Sequence, residues 1–162
     1  LIAAVNGVAV GIGTTMLLHC DFVYATEKAR FHMPFIQLGL VPEAGASWLL
    51  PQKVGHRRAA ELLMLGEPFD SIRAKELGII NDYTAEELLL ETVYGVAHRL
   101  ATLPPAALRQ TKNLLKQTTQ GQLEHVMTNE GEIFIDRLSS PETAEALQAF
   151  FEKRRPNFSS FS

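Results

Sequence analysis

The chain has 162 residues, 46% hydrophobic and 20% charged, with a formal net charge of -3. That is about one domain of soluble globular protein, long enough to bury a sizeable core, with no general electrostatic attraction to nucleic acid or anionic membrane. Its single cysteine, Cys20, excludes an internal disulfide and fits a reducing, cytoplasmic setting.

Residues 1–5, Leu-Ile-Ala-Ala-Val, read as a buried strand with no initiator methionine, basic leader or turn before it, as in a fragment whose numbering opens inside a fold. The apolar run to Leu18 is interrupted by Asn6, Gly7, Gly11, Gly13, Thr14 and Thr15 and lacks charged flanks, which argues against a signal peptide or membrane span. Residues 11–18 form the first turns of a helix, and 22–25 and 29–31 two short strands. Pro42-Glu43 has the form of a helix start. Residues 57–65 carry apolar side chains at helical spacing up to Gly66; Ser71 can cap a helix that stops at Gly78, and Ile79-Ile80 gives a short strand. Thr84-Ala85-Glu86-Glu87 is a capping box for a helix to about Leu103, ended by Pro104-Pro105. Helices over 106–118 and 122–138 follow, and Ser140-Pro141-Glu142 opens a last one to about Arg154. The expected organisation is an α/β part over 1–83 and a helical part over 84–162.

Glu43 stands out as a lone carboxylate in Leu38-Gly39-Leu40-Val41-Pro42-Glu43-Ala44-Gly45-Ala46-Ser47-Trp48. An acid among apolar and small residues suits a group that takes a proton and returns it, and it equally suits the first turn of a helix. Asn6-Gly7-Val8-Ala9-Val10-Gly11-Ile12-Gly13 follows a strand and opens a helix, but lacks the third glycine of a dinucleotide fingerprint. It serves either as a tight turn or as a place where a substrate meets free backbone N–H groups. Gly45-Ala46-Ser47-Trp48-Leu49 lacks the second glycine of a nucleophile elbow. His19, Cys20 and Asp21 are sequence neighbours and do not face one another, so Cys20 reads as a small buried hydrophobe. The five histidines show no metal-ligand spacing. Lys153-Arg154-Arg155 reads as a solvated helix end or a phosphate clamp.

Taken together, Ile2-Ala3-Ala4-Val5-Asn6-Gly7, Gly11-Ile12-Gly13, Cys20-Asp21, Ala25, Ala29, Phe31, Pro34, Leu38-Gly39, Pro42, Val54-Gly55, Leu65-Gly66, Leu77-Gly78-Ile79 and Phe150-Phe151-Glu152-Lys153-Arg154 resemble the crotonase, or enoyl-CoA hydratase/isomerase, superfamily. The likeness covers essentially the whole chain. It implies a crotonase-like ββα spiral, a helical trimerisation region, and an acyl-CoA thioester substrate whose coenzyme A is part of the substrate. It further implies no separate cofactor or metal, a homotrimer or dimer of trimers, and neither nucleic acid nor membrane as partner. It also implies a preceding portion, absent here, that supplies one of two oxyanion N–H groups and much of the adenine pocket.

Hydratases of this family place glutamates where the chain has Thr15 and Phe35. Adding water needs one group to activate it and another to protonate carbon, and these two side chains do not divide that work. Glu43 falls where peroxisomal-type Δ3,Δ2-enoyl-CoA isomerases carry their catalytic glutamate. By resemblance, the Ile12 N–H is the second oxyanion donor, and Ala9, Gly11, Pro34, Phe35 and Leu38 contact substrate. Phe150 and Lys153 match positions near the adenine bound by a neighbouring subunit. Ring-epoxide isomerases of phenylacetyl-CoA breakdown resemble residues 41–51 but use aspartate at position 43. A 4-chlorobenzoyl-CoA dehalogenase and a non-catalytic acyl-CoA-binding module are the remaining alternatives.

Overall fold

A computed structural model describes residues 1–118 and 120–161. The first part coils as repeated strand–strand–helix turns. β1 (Ile2–Val5) and β2 (Val8–Val10) lead into a short helix α1 (Ile12–Thr15) and a 3-10 turn over Met16–His19. β3 (Phe22–Thr26) and β4 (Arg30–His32) form the next turn, followed by a 3-10 turn at Ile36–Leu38, then α2 (Ala46–Val54) and α3 (His56–Ala60), which continues as a π-type turn at Glu61–Leu65. β5 (Phe69–Asp70), α4 (Ser71–Glu76) and β6 (Asp82–Thr84) complete the spiral. Two sheets result, ordered β1-β3-β6 and β2-β4-β5.

The β2–β4 pairing positions the site. These strands run parallel, with Val8 opposite Arg30 and Val10 opposite His32, so both emerge at the same edge of the sheet. The chain leaving β2 is the glycine-rich run; the chain leaving β4 leads to Glu43. A bond from Gly11 N to His32 O (2.9 Å) ties the two exits together. Beneath them the core holds Phe31 stacked on Phe69 at 5.5 Å, with Met33, Leu50 and a set of fully buried alanines at positions 25, 29, 46 and 74. Small residues let successive coils approach closely: a Cβ added at Gly13 would already touch that of Ala9 at 3.9 Å.

Four local expectations need correction. The glycine-rich run contains β2, because ladder bonds to β4 outweigh a pattern in which only Ala9 of the three residues is buried. Ile79 and Ile80 are buried in a bend, their N–H groups returned to Ala74 O, and the strand lies later at Asp82–Thr84, paired with Tyr24–Thr26. Asp70 rather than Ser71 caps α4, accepting from Arg73 N, while Ser71 is buried and donates its hydroxyl to Thr26 O at 2.7 Å. Thr84 ends a strand and caps nothing; a 3-10 turn at Glu86–Leu88 precedes α5 (Leu89–Ala101).

Three further helices follow: α6 (Pro105–Gln117), α7 (Gln120–Leu138) and α8 (Pro141–Phe151). Ser140 caps α8 as the sequence predicts, accepting from Thr143 N at 3.1 Å. α8 stops at Phe151 rather than Arg154 because Lys153 takes a left-handed conformation (φ 54°) and Arg154 N returns to Ala149 O, closing the last turn. Among the described residues no helix is long and apolar enough to cross a membrane.

Beyond α8 the chain is latched by Glu145, whose carboxylate receives Arg154 Nη1 at 2.5 Å, Nη2 at 3.0 Å and Asn157 N at 2.8 Å. The Arg154 guanidinium first, and then the Asn157 N–H, hold this carboxyl down to about 2. A depressed carboxyl stabilises the folded state above its ordinary value and loses that contribution as pH falls through the folded one. Amide exchange at Asn157, referenced to a free peptide, is therefore expected to accelerate as pH drops from about 4.5 toward 2. Glu145→Gln should show that faster exchange already at neutral pH.

Candidate active site

Glu43 sits in a turn made of two adjacent left-handed residues, Ala44 (φ 55°) and Gly45 (φ 73°), and α2 begins only afterwards at Ala46. No acid lies in the first turn of α2, which corrects the helix-start reading of Pro42-Glu43. Left-handed backbone costs a residue with a Cβ roughly 1–2 kcal/mol. Ala44 is held in it by what surrounds the turn.

Three elements hold that turn. From α1, Thr15 Oγ1 lies 2.5 Å from Glu43 Oε1, and Thr15 itself is completely buried. From the 3-10 turn after α1, His19 Nε2 meets Ala44 O at 2.6 Å; a carbonyl only accepts, so Nε2 carries the proton. From α7, the buried Glu130 carboxylate accepts from Gly45 N (2.5 Å) and Ser47 N (2.8 Å). Glu130 thereby supplies the cap that α2 lacks from its own side chains. Leu123 and Met127 of the same helix press on Gly45 so closely that an added Cβ would collide with the Leu123 side chain.

The stretch before Glu43 is pinned as firmly. Gly39 is left-handed (φ 69°), and its carbonyl accepts from Arg137 Nε at 3.0 Å, with Thr143 Oγ1 at 3.3 Å. A Cβ at Gly39 would lie 2.8 Å from the Thr143 backbone nitrogen, so the chain abuts the first turn of α8.

On the facing side, Gly11 adopts φ 55° and ψ -120°, a conformation reserved for glycine, and so turns β2 into α1. Its carbonyl accepts from Thr14 N (2.9 Å) and Thr15 N (3.0 Å), while the Ile12 N–H on the other side of that peptide meets no acceptor among the described residues. A four-residue helix carries little macrodipole, so this N–H acts as a single donor rather than as a dipole end. Phe35 is buried with its ring edge beside Gly11, 3.9 Å from where a Cβ would stand. Ala9 is buried beneath, and its carbonyl accepts the Thr14 hydroxyl at 2.6 Å. Pro34 and Leu38 are half-buried and joined by the bond from Leu38 N to Pro34 O.

Glu43, Thr15, Gly11 and Phe35 are therefore linked by direct contacts. Phe150 and Lys153 are exposed at the end of α8, and their recognisable interactions are local: Phe150 edge-on to Phe151, and Lys153 N to Phe150 O. A cavity of about 680 Å³ opens elsewhere, between β1, residues 18–22, α2 and α6, and neither Glu43 nor Ile12 lines it. The His19-Cys20-Asp21 side chains go separate ways. His19 binds Ala44, Asp21 receives Lys112 Nζ at 2.5 Å, and burial pushes the Cys20 thiol above its ordinary value, as befits an unreactive thiol.

Glu130 and the role of His19 were not legible in the sequence. Glu130 stands in a helix that also carries Glu124, Glu132 and Asp136, where nothing local separates a buried acid from a solvated one. Chemically, the arrangement offers one half-buried carboxylate anchored through one oxygen, next to a glycine turn with an unengaged N–H and a buried aromatic ring.

The sequence model of the enoyl-CoA hydratase/isomerase family matches residues 1–160. The chain is 35% identical over 158 residues to the 2,3-dehydroadipyl-CoA hydratase of Escherichia coli (strain K12), covering 98% of this chain and 62% of that protein. It is 37% identical over 160 residues to the 1,2-epoxyphenylacetyl-CoA isomerase of the same strain (98% and 60%). To the enoyl-CoA delta isomerase 2 of Rattus norvegicus it is 34% identical over 154 residues (95% and 39%). Among solved structures, an enoyl-CoA hydratase/isomerase from Pseudoalteromonas atlantica T6c superposes with a TM-score of 0.94 at 41% identity, over 98% of this chain and 64% of that one. The chain thus spans less than two thirds of the length of these relatives. With the family match running through residue 160 and the ββα spiral superposing on a solved member, the chain belongs to the enoyl-CoA hydratase/isomerase, or crotonase, family.

Proposed function

We propose that the protein is an acyl-CoA double-bond isomerase that converts a 3-enoyl thioester to the trans-2-enoyl product through Glu43. The observation that carries this reading is the hydrogen bond between Thr15 and Glu43. It puts a hydroxyl, not a second carboxylate, beside Glu43, while the other position at which related hydratases use glutamate is the buried ring of Phe35. One proton carrier suffices to move a double bond; hydration needs two.

The Glu43 carboxylate takes a proton from C2. The electron pair released spreads over the C3=C4 bond and the thioester oxygen as a dienolate. Glu43 then returns the proton at C4, leaving the double bond between C2 and C3 and the composition unchanged. The Ile12 N–H donates to the enolate oxygen; one such donor is worth roughly 2.7–4 kcal/mol in acyl-transfer enzymes. Phe35 keeps water from the dienolate beside Gly11. Ala9, Gly11, Pro34 and Leu38 shape the acyl slot, and Phe150 and Lys153 serve the coenzyme A of an adjoining subunit in a trimer. Exposed Leu114, Leu115, Phe150 and Phe151 supply apolar surface for such an assembly.

A second reading, a ring-epoxide isomerase, is favoured by residues 41–51 and by the 37% identical relative of that name. Assaying the full-length protein side by side on 3-hexenoyl-CoA, crotonyl-CoA and the epoxide of phenylacetyl-CoA separates these. Double-bond migration is expected to dominate. Hydration of crotonyl-CoA outpacing it would overturn the proposal, and turnover of the epoxide alone would select the second reading.

A further inference from the structure

We infer that Thr15 is a positioning residue that gives the two oxygens of Glu43 different tasks, Oε1 anchored and Oε2 working. This rests on Glu43 being the proton carrier. Thr15 has one O–H to give and two acceptors in reach, Glu43 Oε1 at 2.5 Å and Gly11 O at 3.3 Å. Gly11 O is already served by the N–H groups of Thr14 and Thr15, at 2.9 and 3.0 Å. The carboxylate offers the shorter, charge-assisted bond, so the hydroxyl proton goes to Oε1. Thr15 is completely buried on α1, and a β-branched side chain in a helix has few rotamers, so the direction of that donation is fixed.

No donor among the described residues engages Oε2. With Oε1 tethered, the plane of the carboxylate is set and Oε2 is the oxygen that meets substrate. When Oε2 takes the C2 proton, Oε1 becomes the carbonyl oxygen of the acid and still accepts from Thr15. The acid therefore holds its orientation through both protonation states, and one oxygen collects the proton at C2 and delivers it at C4 without turning. The other titratable groups around this turn, His19 from the 3-10 turn after α1 and Glu130 from α7, are bound to its backbone and leave the carboxylate itself to Thr15.

The test uses the full-length protein with Thr15→Val, which keeps the shape and removes the donor, and Thr15→Ser, which keeps the donor. The substrate is a 3-enoyl thioester carrying deuterium at C2. Thr15→Val should transfer a smaller share of label to C4, because a loosened acid exchanges with solvent before delivery. Its kcat should fall about tenfold with a smaller change in KM, as expected for loss of one hydrogen bond to a charged group. The acid limb of its kcat/KM profile should also move to higher pH, since the ionised carboxylate has lost a donor. Thr15→Ser should restore label transfer and the limb. Should the valine variant fail to fold, Thr15→Cys, with only a weak donor, is read the same way. Wild-type label transfer together with an unmoved limb in these donor-deficient variants overturns the inference while leaving the isomerase intact; full activity in Glu43→Gln overturns the underlying reading itself.

Discussion

Glu43→Gln is expected to lower isomerisation of a 3-enoyl thioester by roughly 10²–10⁴-fold, the range lost when a positioned acid–base group is removed. The amide oxygen can accept from Thr15 as Oε1 does, so the turn and the fold should survive and the melting temperature should change little. What is lost is a group that accepts a proton and gives it back. No neighbour takes over: Thr15 is an alcohol, Phe35 is apolar, and the Glu130 carboxylate is committed to two backbone N–H groups. The fall should appear in kcat and kcat/KM together with KM nearly constant, because a proton transfer made only in the transition state is removed and binding contacts are not. Steady-state kinetics alongside a thermal melt decide it. A variant that keeps wild-type kcat while folding normally would remove Glu43 from the mechanism.

How far the sequence carries such an argument differs from element to element. β1 and β3 are apolar runs whose strand character follows from composition, and both lie where their residues place them. β2 and β6 are strands because a neighbour is there to pair with: Val8–Val10 hides among glycines, and Asp82–Thr84 is polar. Glu43 is conspicuous as a lone acid in apolar sequence, and family resemblance gives it a role. The absence of glutamate at position 15 is equally visible. That Thr15 then binds Glu43 across 28 residues is a fact of the β2–β4 pairing, which no local pattern encodes. Gly45 hints at a left-handed turn; Ala44, left-handed without a glycine's licence, is held there by its surroundings.

Those surroundings make Glu130 the second position where a single change should act strongly. Glu130→Ala removes the acceptor of two N–H groups at the start of α2. The Ser47 N–H belongs to an exposed residue and can turn to water, whereas Gly45 is buried beneath Leu123 and Met127. One orphaned buried N–H costs about 1–3 kcal/mol, and losing a carboxylate at a helix N-terminus adds about 0.3–1 kcal/mol. The expected loss of stability is therefore roughly 2–4 kcal/mol. Activity should fall further than this implies. Ala44 stays left-handed only while its flanks are tied, and once Gly45 is released it gains roughly 1–2 kcal/mol by relaxing. That swings Glu43 away from Thr15, and a displacement of about 1 Å at a reacting group can cost on the order of 10²-fold in rate. Glu130→Gln should lie between, since its single carbonyl oxygen serves Gly45 while its amide faces the Ser47 N–H donor to donor. Denaturant unfolding gives the first quantity and kcat, measured where every variant is folded, gives the second. A Glu130→Ala protein that is less stable yet turns over at the wild-type rate would reduce Glu130 to a helix cap, with no hold on the orientation of Glu43.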